Sequence, residues 1–451
     1  MNKKYLVLIL LALSLITRFM FFGYPSETVF DEVHFGKFIS GYYTREYFFD
    51  IHPPGGKLAI AGFAKLFDFK PGFAFSEIGN EYPDKQYLIL RFLPSLAGAL
   101  LPLVIFLLLV ELGISRSAAF WGGLLIVFEN AILTQSHYIL LDSLLLLFGF
   151  LSLLFYFKSK NYFLLFGLFS GLAISIKWTG LGFLALPLFV EFIQIIKNKN
   201  PKQIIEKIIF PLIVAVFVYS VIFLTHLVIL DKSGPGNNFM SPGFQKTLSE
   251  NRFEKDSQVK KSNLFQKFTE LNAEMYKSNQ RLTAQHPYSS SWYSWPFMAR
   301  PIYYWVNENA RIYFIGNPVI WWLSTVTVIF ALISLIQNLR FKIPAPLERG
   351  SLNKVEWQDS VIVFLTAGYV VNVLPFIGVK RVMFLYHYLT AYIFALMILV
   401  WFVSQQKNSE KLFRALIIAS VISFIFFAPL SYGLDLSPNA YEYRVWFSSW
   451  R

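Results

Sequence analysis

Residues 87–110 read YLILRFLPSLAGALLPLVIFLLLV, an apolar run interrupted by one charge, Arg91. A stretch of roughly 17 to 25 such residues crosses the bilayer as a helix. The same measure finds spans at 5–22, 117–134, 139–157, 161–176, 179–196, 206–230, 313–337, 358–377, 382–403 and 412–430, about eleven in all. The predicted fold is an all-α integral membrane protein. Composition agrees: of 451 residues, 55% are hydrophobic, 19% aromatic and only 15% charged, more apolar surface than a soluble globule of this size buries. The +13 balance (40 basic against 27 acidic) could suggest nucleic acid. The basic residues, however, fall mostly in short gaps between apolar runs, so no nucleic-acid partner is expected. The absence of cysteine excludes disulfides and thiolate metal sites and leaves the compartment open.

The amino terminus has the basic start and apolar stretch of a signal peptide. Phe19, Met20, Phe21 and Phe22 replace the small residues a cleavage site needs, so it reads as an uncleaved first span with Arg18 snorkelling to the interface. Lys and Arg in short loops accumulate on the cytoplasmic side. The amino terminus, Lys158 with Lys160, Lys197 to Lys207, Arg340 to Lys354 and Lys407 to Arg414 all fall on one side by this count. The loops 23–86 and 231–312 and the tail 431–451 are then extracytoplasmic. The predicted organisation is one structural unit in three parts: 1–230 with the first loop, 231–312 as a loop, and 313–451 as a four-helix region.

Within the first loop, Phe35, Phe38, Ile39 and Tyr42 have helical spacing over Asp31 to Glu46. A second surface helix is predicted from Gly56 towards Phe69, with Leu58, Ile60, Phe63 and Phe67 apolar. In the second loop, Leu264, Phe265, Phe268, Leu271 and Met275 suggest an amphipathic helix, and Tyr288 to Trp305 a segment returning to the headgroup zone.

The informative charges break the topology rule. Arg91, Lys177, Lys380 and Arg381 lie at the outer ends of spans, where a basic residue is costly unless paired or snorkelled. A lipid-linked phosphate would supply an anion, and Arg has the donor geometry for it; snorkelling to anionic lipid is the alternative. Asp31-Glu32 is the acidic counterpart. On a helix adjacent side chains diverge by about 100°, so the two carboxylates serve different tasks. One could accept a proton while the other orients a substrate; alternatively Asp31 caps the helix and Glu32 complements its dipole.

The segments DEVHFGKF (31–38) and DIHPPGGKL (50–58) resemble the first-loop signature of the protein O-mannosyltransferases. Likeness continues at LRFLP (90–94), ILLDS (139–143) and SIKWTG (175–180), then at HPYSS (286–290) with Trp292, Trp295 and Pro296, at GNP (316–318) before Trp321-Trp322, and from Arg381 to Tyr388. The resemblance implies an inverting transferase of the C-type membrane glycosyltransferase (GT-C) fold. It would carry mannose from a polyprenyl phosphate to Ser or Thr hydroxyls of exported proteins, at the cell membrane. By matched motif, Asp31 is implied as catalytic base, Glu32 as an acceptor- or substrate-positioning group, and Arg91, Lys380, Arg381 and His387 as donor-phosphate ligands. His34, His52, Lys57, Asp142, Lys177, Trp178, His286, Trp292 and Trp295 complete the expected substrate-binding set. For the three tryptophans an interfacial belt is the competing reading.

Two departures stand out. Eukaryotic members insert a β-trefoil (MIR) module near 231–285, an interval here too short and polar for one. Gly55 replaces the family's usual Leu and is expected to loosen the turn between the surface helices. His137 and His226 lie in or near spans. No histidine has metal-ligand spacing, so no structural zinc is expected; a divalent cation facing Asp31, Glu32 and Asp142 remains open. No cofactor is required beyond the lipid-linked sugar, and homo- or hetero-oligomers are both compatible. The rival readings are a C-type transferase acting on a lipid or glycan, and a transporter or flippase, which needs midplane charges and broken helices in related halves.

Overall fold

A computed structural model describes residues 2–158, 163–197, 199–281, 286–337, 354–379 and 381–451. An apolar helix stands at each predicted span: α1 (Lys3–Phe19), α4 (Tyr87–Glu111), α5 (Arg116–Val127) with α6 (Asn130–His137), α7 (Asp142–Lys158), α8 (Phe163–Ile174), α9 (Leu181–Lys197), α10 (Phe210–Ile229), α13 (Pro318–Gln337), α14 (Lys354–Val373), α15 (Leu389–Ser404) and α16 (Ser409–Tyr432). Among the described residues, seven helical segments are long and apolar enough to cross a membrane unaided, eight counting the bent pair α5/α6. α1 and α7, at 17 residues each, and α8, at 12, are shorter. Outside the spans lie α2 (Glu32–Thr44), α3 (Gly55–Lys65), α11 (Pro242–Gln245), α12 (Leu264–Arg281) and α17 (Pro438–Glu442). Lys160 and 340–353, used in the sidedness argument, lie outside the described residues.

α15 is apolar all round and buried continuously from Leu389 to Val400, as expected of a helix at the centre of a bundle. α10 is equally apolar but shows most of its surface outward, as a helix facing lipid does. The span predicted at 117–134 is broken: α5 and α6 meet at 56°. Glu129 accounts for the break, because its carboxylate caps α6 through Ile132 N (2.7 Å) and also accepts Asn317 N (2.7 Å). The end of α5 leaves carbonyls without helical partners. Arg18 takes two of them, Ile126 O (2.7 Å) and Val127 O. Arg18 is therefore fully buried, and the snorkelling predicted for it does not occur.

The three extramembrane segments pack together at one end. α2 follows the prediction, with Phe35, Ile39 and Tyr42 buried; α3 stops at Lys65, leaving Phe67 exposed. The aromatic stretch before α13 is more than a returning segment, since it forms an antiparallel hairpin of β1 (Ile302–Asn307) and β2 (Ala310–Phe314). Its residues pair from Ile302↔Phe314 to Asn307↔Ala310, with a register shift between Tyr303 and Trp305, a strand pairing that composition alone could not separate from an interfacial belt. Its Trp305 and Asn307 donate to Glu27 of the first loop (2.7 and 3.1 Å), and Tyr313 OH donates to Trp450 O of the tail.

Gly55 packs rather than loosens. Its N–H donates to Ser175 O at 2.6 Å, and a Cβ there would lie 2.6 Å from the same oxygen. The motif turn is thereby pressed against the α8 end that carries Lys177. Gly55→Leu should cost about 1–3 kcal/mol as an overpacked contact. A lower thermal midpoint in detergent checks this; an unchanged midpoint would mean that Ser175 yields freely.

Candidate active site

The first loop enters α2 through a left-handed residue, Phe30, at φ +48°. Tyr304 of the hairpin holds it there, stacking on its ring at 4.0 Å and accepting its N–H at 3.0 Å. The turn leaves Asp31 at the N-cap position with helical rather than extended angles, and its side chain caps nothing. Among the described residues none hydrogen-bonds to the Asp31 carboxylate. Burial pushes this carboxyl up to about 6, opposed by His34 and Lys177 and reinforced by Asp142 and Asp50.

Glu32 has the opposite fate. It is fully buried and accepts from Val29 N (2.8 Å), Tyr82 OH (3.0 Å), Ile139 N (2.9 Å), and Arg91 Nε and Nη2 (both 2.7 Å). Arg91 directs its remaining N–H groups to the carbonyls of Gly23 (3.2 Å), Pro25 (2.7 Å) and Glu27 (2.8 Å). All five guanidinium donors are engaged and the side chain has no exposure. This geometry conflicts with Arg91 as donor-phosphate ligand and with Glu32 as substrate-positioning group. Lys57 departs from expectation for the same reason: its ammonium is occupied by Asp50 (2.5 Å), His52 O (3.0 Å) and Pro53 O (3.1 Å), which locks the Asp50–Pro53 turn.

A cavity of about 220 Å³ opens beside this assembly. His52, Lys177, Trp178, Asn279, Arg381 and His387 are among its lining residues. Lys177 contacts Asp142 (2.7 and 2.8 Å), which also accepts from Gln135 Nε2 (2.7 Å), whose oxygen in turn accepts from Tyr304 OH (2.5 Å). Arg381 differs from every other cation here. Its partners among the described residues are Asn279 Oδ1, His387 Nε2 (3.2 Å) and, at 3.4 Å, Val382 O, all of them neutral. His52 is held well below its ordinary pKa by burial and then by Lys177, Arg381, Lys57 and His387, so it is an uncharged polar group. Trp178 lines the cavity with its ring N–H on Tyr219 OH at 3.0 Å.

The other predicted residues scatter. Trp295 is fully buried behind His387, its ring near parallel at 6.1 Å, so it cannot be a sugar platform. Trp292 is half-buried beside it, His286 is exposed with its ring edge on Phe384 at 5.0 Å, and His34 is exposed. None of these three lines the cavity. Lys380 lies outside the described residues. His226 accepts or donates a 2.8 Å contact with Tyr42 OH in the core. No group of three His, Asp or Glu suited to a metal occurs among the described residues, and a cation shared by Asp31, Glu32 and Asp142 is disfavoured because the last two are committed to Arg91 and Lys177. Asn279, Asp50, Gln135, Tyr304 and Tyr386, whose ring lies 5.4 Å from Lys177 Nζ, are structural members of the site that the sequence reading did not assign. Asp50 stands inside the quoted motif; Asn279 has no signal distinguishing it from the other polar residues of α12.

Residues 8–231 match the family model described as dolichyl-phosphate-mannose-protein mannosyltransferase, and 264–450 match the C-terminal four-transmembrane region of protein O-mannosyltransferase. The chain belongs to the protein O-mannosyltransferase family. Mannosyltransferase 4 of Candida albicans is 35% identical over 55% of this chain and 36% of its own length. Protein O-mannosyl-transferase 1 of Mus musculus is 35% identical over 53% and 35%. The alignments thus span about a third of those relatives. Mannosyltransferase 1 of Saccharomyces cerevisiae aligns over all of this chain and 83% of its own length, at 23% identity. The S. cerevisiae protein O-mannosyltransferase Pmt1–Pmt2 complex bound to the sugar donor superposes with a TM-score of 0.91 at 21% identity, covering 100% of this chain and 93% of that one. The Archaeoglobus fulgidus oligosaccharyltransferase gives 0.54 at 11% identity, covering 98% and 57%. Both solved structures share the GT-C architecture, the fold of this protein O-mannosyltransferase family member, a multi-pass membrane protein.

Proposed function

We propose that this chain transfers mannose from a polyprenyl phosphate to Ser or Thr hydroxyls of exported polypeptides, with inversion, at the extracytoplasmic face of the cell membrane. The observation that carries the reading is Arg381: a half-buried cation on the cavity wall whose partners among the described residues are all neutral, close enough to Lys177 for both to depress His52. A partly desolvated guanidinium with unanswered charge is suited to a phosphate.

In the proposed step the acceptor oxygen attacks the anomeric carbon from the face opposite the phosphate, forming the new C–O bond as the bond to the phosphate oxygen breaks. Asp31 takes the hydroxyl proton. Arg381, aided by Lys177, holds the charge that develops on the departing lipid phosphate. A carboxyl near 6 is ionised at neutral pH yet basic enough to accept a proton, which supports Asp31 in this role. Arg91, Glu32 and Lys57 then act indirectly, by fixing the loop that presents Asp31 and His52. For assembly, pairing with a second copy or a related subunit is the corresponding proposal, supported by the two-subunit yeast complex. The transporter reading finds no support: the one bent helix pair, α5/α6, has no counterpart among the described residues.

The test supplies purified protein with polyprenyl phosphate mannose and a Ser/Thr peptide. Mannosylated peptide of inverted configuration is expected, and Arg381→Ala should raise the donor KM about 10–100-fold, the worth of a charged hydrogen-bond partner, with a smaller change in peptide KM. Unmodified peptide alongside a mannosylated lipid or glycan would favour the rival transferase. A normal donor KM in the Arg381 variant would remove the phosphate assignment.

A further inference from the structure

α12 belongs to the second extracytoplasmic loop, yet Tyr276, Asn279 and Gln280 of this helix form one wall of the cavity. Among the described residues, Asn279 is the one of the three whose side chain hydrogen-bonds a charged group. Its amide orientation is set by its neighbours. Nδ2 donates to Ile51 O at 3.0 Å and to Met275 O at 2.9 Å, so both N–H groups face carbonyls and the amide oxygen must face outward, where Arg381 Nη1 donates to it. One side chain therefore ties three parts of the chain together: the motif turn through Ile51, the loop helix, and the entry to the carboxy-terminal membrane region through Arg381.

The chemical type of this clamp matters as much as its position. Arg91, Lys57 and Lys177 are held by the carboxylates of Glu32, Asp50 and Asp142 at 2.7, 2.5 and 2.7 Å. Each of those cations is neutralised by its anchor. Asn279 anchors Arg381 with an uncharged oxygen, and His387 adds an imidazole nitrogen. A neutral anchor fixes the guanidinium plane without answering its charge.

We propose that Asn279 is the positioning residue of the anion site: it orients Arg381 while leaving the full positive charge available to the phosphate of the lipid donor. The inference rests on the transfer reading above and adds to it that the loop helix supplies part of the donor site. A carboxylate at 279 would form an internal ion pair that competes with the phosphate. Asn279→Asp, although nearly isosteric, is then more harmful than Asn279→Ala, which removes the anchor and leaves the charge.

The experiment compares wild type, Asn279→Ala, Asn279→Asp, Arg381→Ala and the double variant Arg381→Ala with Asn279→Asp, as full-length protein in detergent with polyprenyl phosphate mannose and a Ser/Thr peptide. Donor KM should rise about 3–10-fold in Asn279→Ala, the scale of an ordinary net hydrogen bond because the guanidinium loses its anchor but keeps its charge, and more in Asn279→Asp. The peptide KM should move less than twofold. In the double variant the Asp substitution should add nothing to the effect of Arg381→Ala, because it acts through the guanidinium. Multiplying effects in the double variant, or an Asp variant closer to wild type than the Ala variant, would overturn the proposal and leave the transfer reading intact. A wild-type protein that mannosylates no peptide overturns the reading itself. Thermal midpoints of all five proteins separate folding loss from a KM effect.

Discussion

Asp31→Asn should lower mannose transfer about 10²–10⁴-fold, the range a positioned general base contributes, while raising the thermal midpoint at pH 7. The two effects share one cause. The carboxyl is half-buried, accepts no hydrogen bond from the described residues and has its pKa raised to about 6 from an ordinary 3.8, chiefly by burial. A raised carboxyl binds its proton more tightly in the folded state than in the unfolded chain. Stability therefore falls as pH rises from about 3.8 to about 6 and stays lowered at pH 7, where folding keeps an ionised group out of water. Asn removes that cost, so the variant should gain on the order of 1–2 kcal/mol at pH 7, discounted for partial solvent contact, and lose its advantage below about pH 4. Transfer by the wild type should decline as pH falls through about 6, where the base becomes protonated, and the residual activity of Asp31→Asn should lack that limb. Full transfer by Asp31→Asn would remove Asp31 from the chemistry. Loss of transfer with a lowered midpoint would make it a structural residue.

Asp31 was legible because two readings coincide on it: a carboxylate just beyond a span, and the first position of a matched motif. The spans were legible for a simpler reason. Lipid-facing helices such as α10 advertise their solvent in composition, and burial in a bundle adds no opposing signal. What remained hidden depends on pairing across the chain. Residue types alone show that Arg91, Lys177 and Arg381 are cations at the ends of spans. Whether each is free for a ligand depends on a carboxylate brought close by folding, and three of the four rim cations that entered the argument as one class now divide. Arg91 is closed off, Lys177 is paired but on the cavity wall, and Arg381 keeps its charge. The α5/α6 break was present as Glu129-Asn130 inside an apolar run, but a polar pair in a span is equally compatible with a straight helix facing the bundle interior. The hairpin was masked because Tyr and Trp are favoured both in strands and at the headgroup zone.

The second large effect concerns Glu32 and Arg91, and it separates a structural bolt from a ligand site. Removing one partner of a buried ion pair costs about 3–5 kcal/mol, because the other is left charged and unanswered. Both substitutions to Ala should therefore sharply reduce the amount of folded protein in the membrane, and they should not be equal. Arg91→Ala leaves the Glu32 carboxylate with three donors, Val29 N, Ile139 N and Tyr82 OH. Glu32→Ala strands those three together with the Arg91 charge, and three aromatic rings around the guanidinium, Tyr87, Tyr138 and Tyr82 at 4.8, 5.0 and 5.5 Å, soften that charge without replacing a carboxylate. Glu32→Ala is thus the more damaging of the two in thermal midpoint and membrane abundance, and Glu32→Gln falls between wild type and Glu32→Ala by keeping an acceptor oxygen. The alternative, that Arg91 binds the donor phosphate, predicts a different result: Arg91→Ala of normal abundance and midpoint whose defect is a raised donor KM. Folded, abundant Arg91→Ala protein would return the guanidinium to the donor site. Its loss from the membrane would assign Arg91 and Glu32 to the frame that holds Asp31 within electrostatic reach of Lys177 on the cavity wall, since Glu32 is the residue joined to Asp31 by a single peptide bond and ties that turn at once to α4 and to the segment leading into α7.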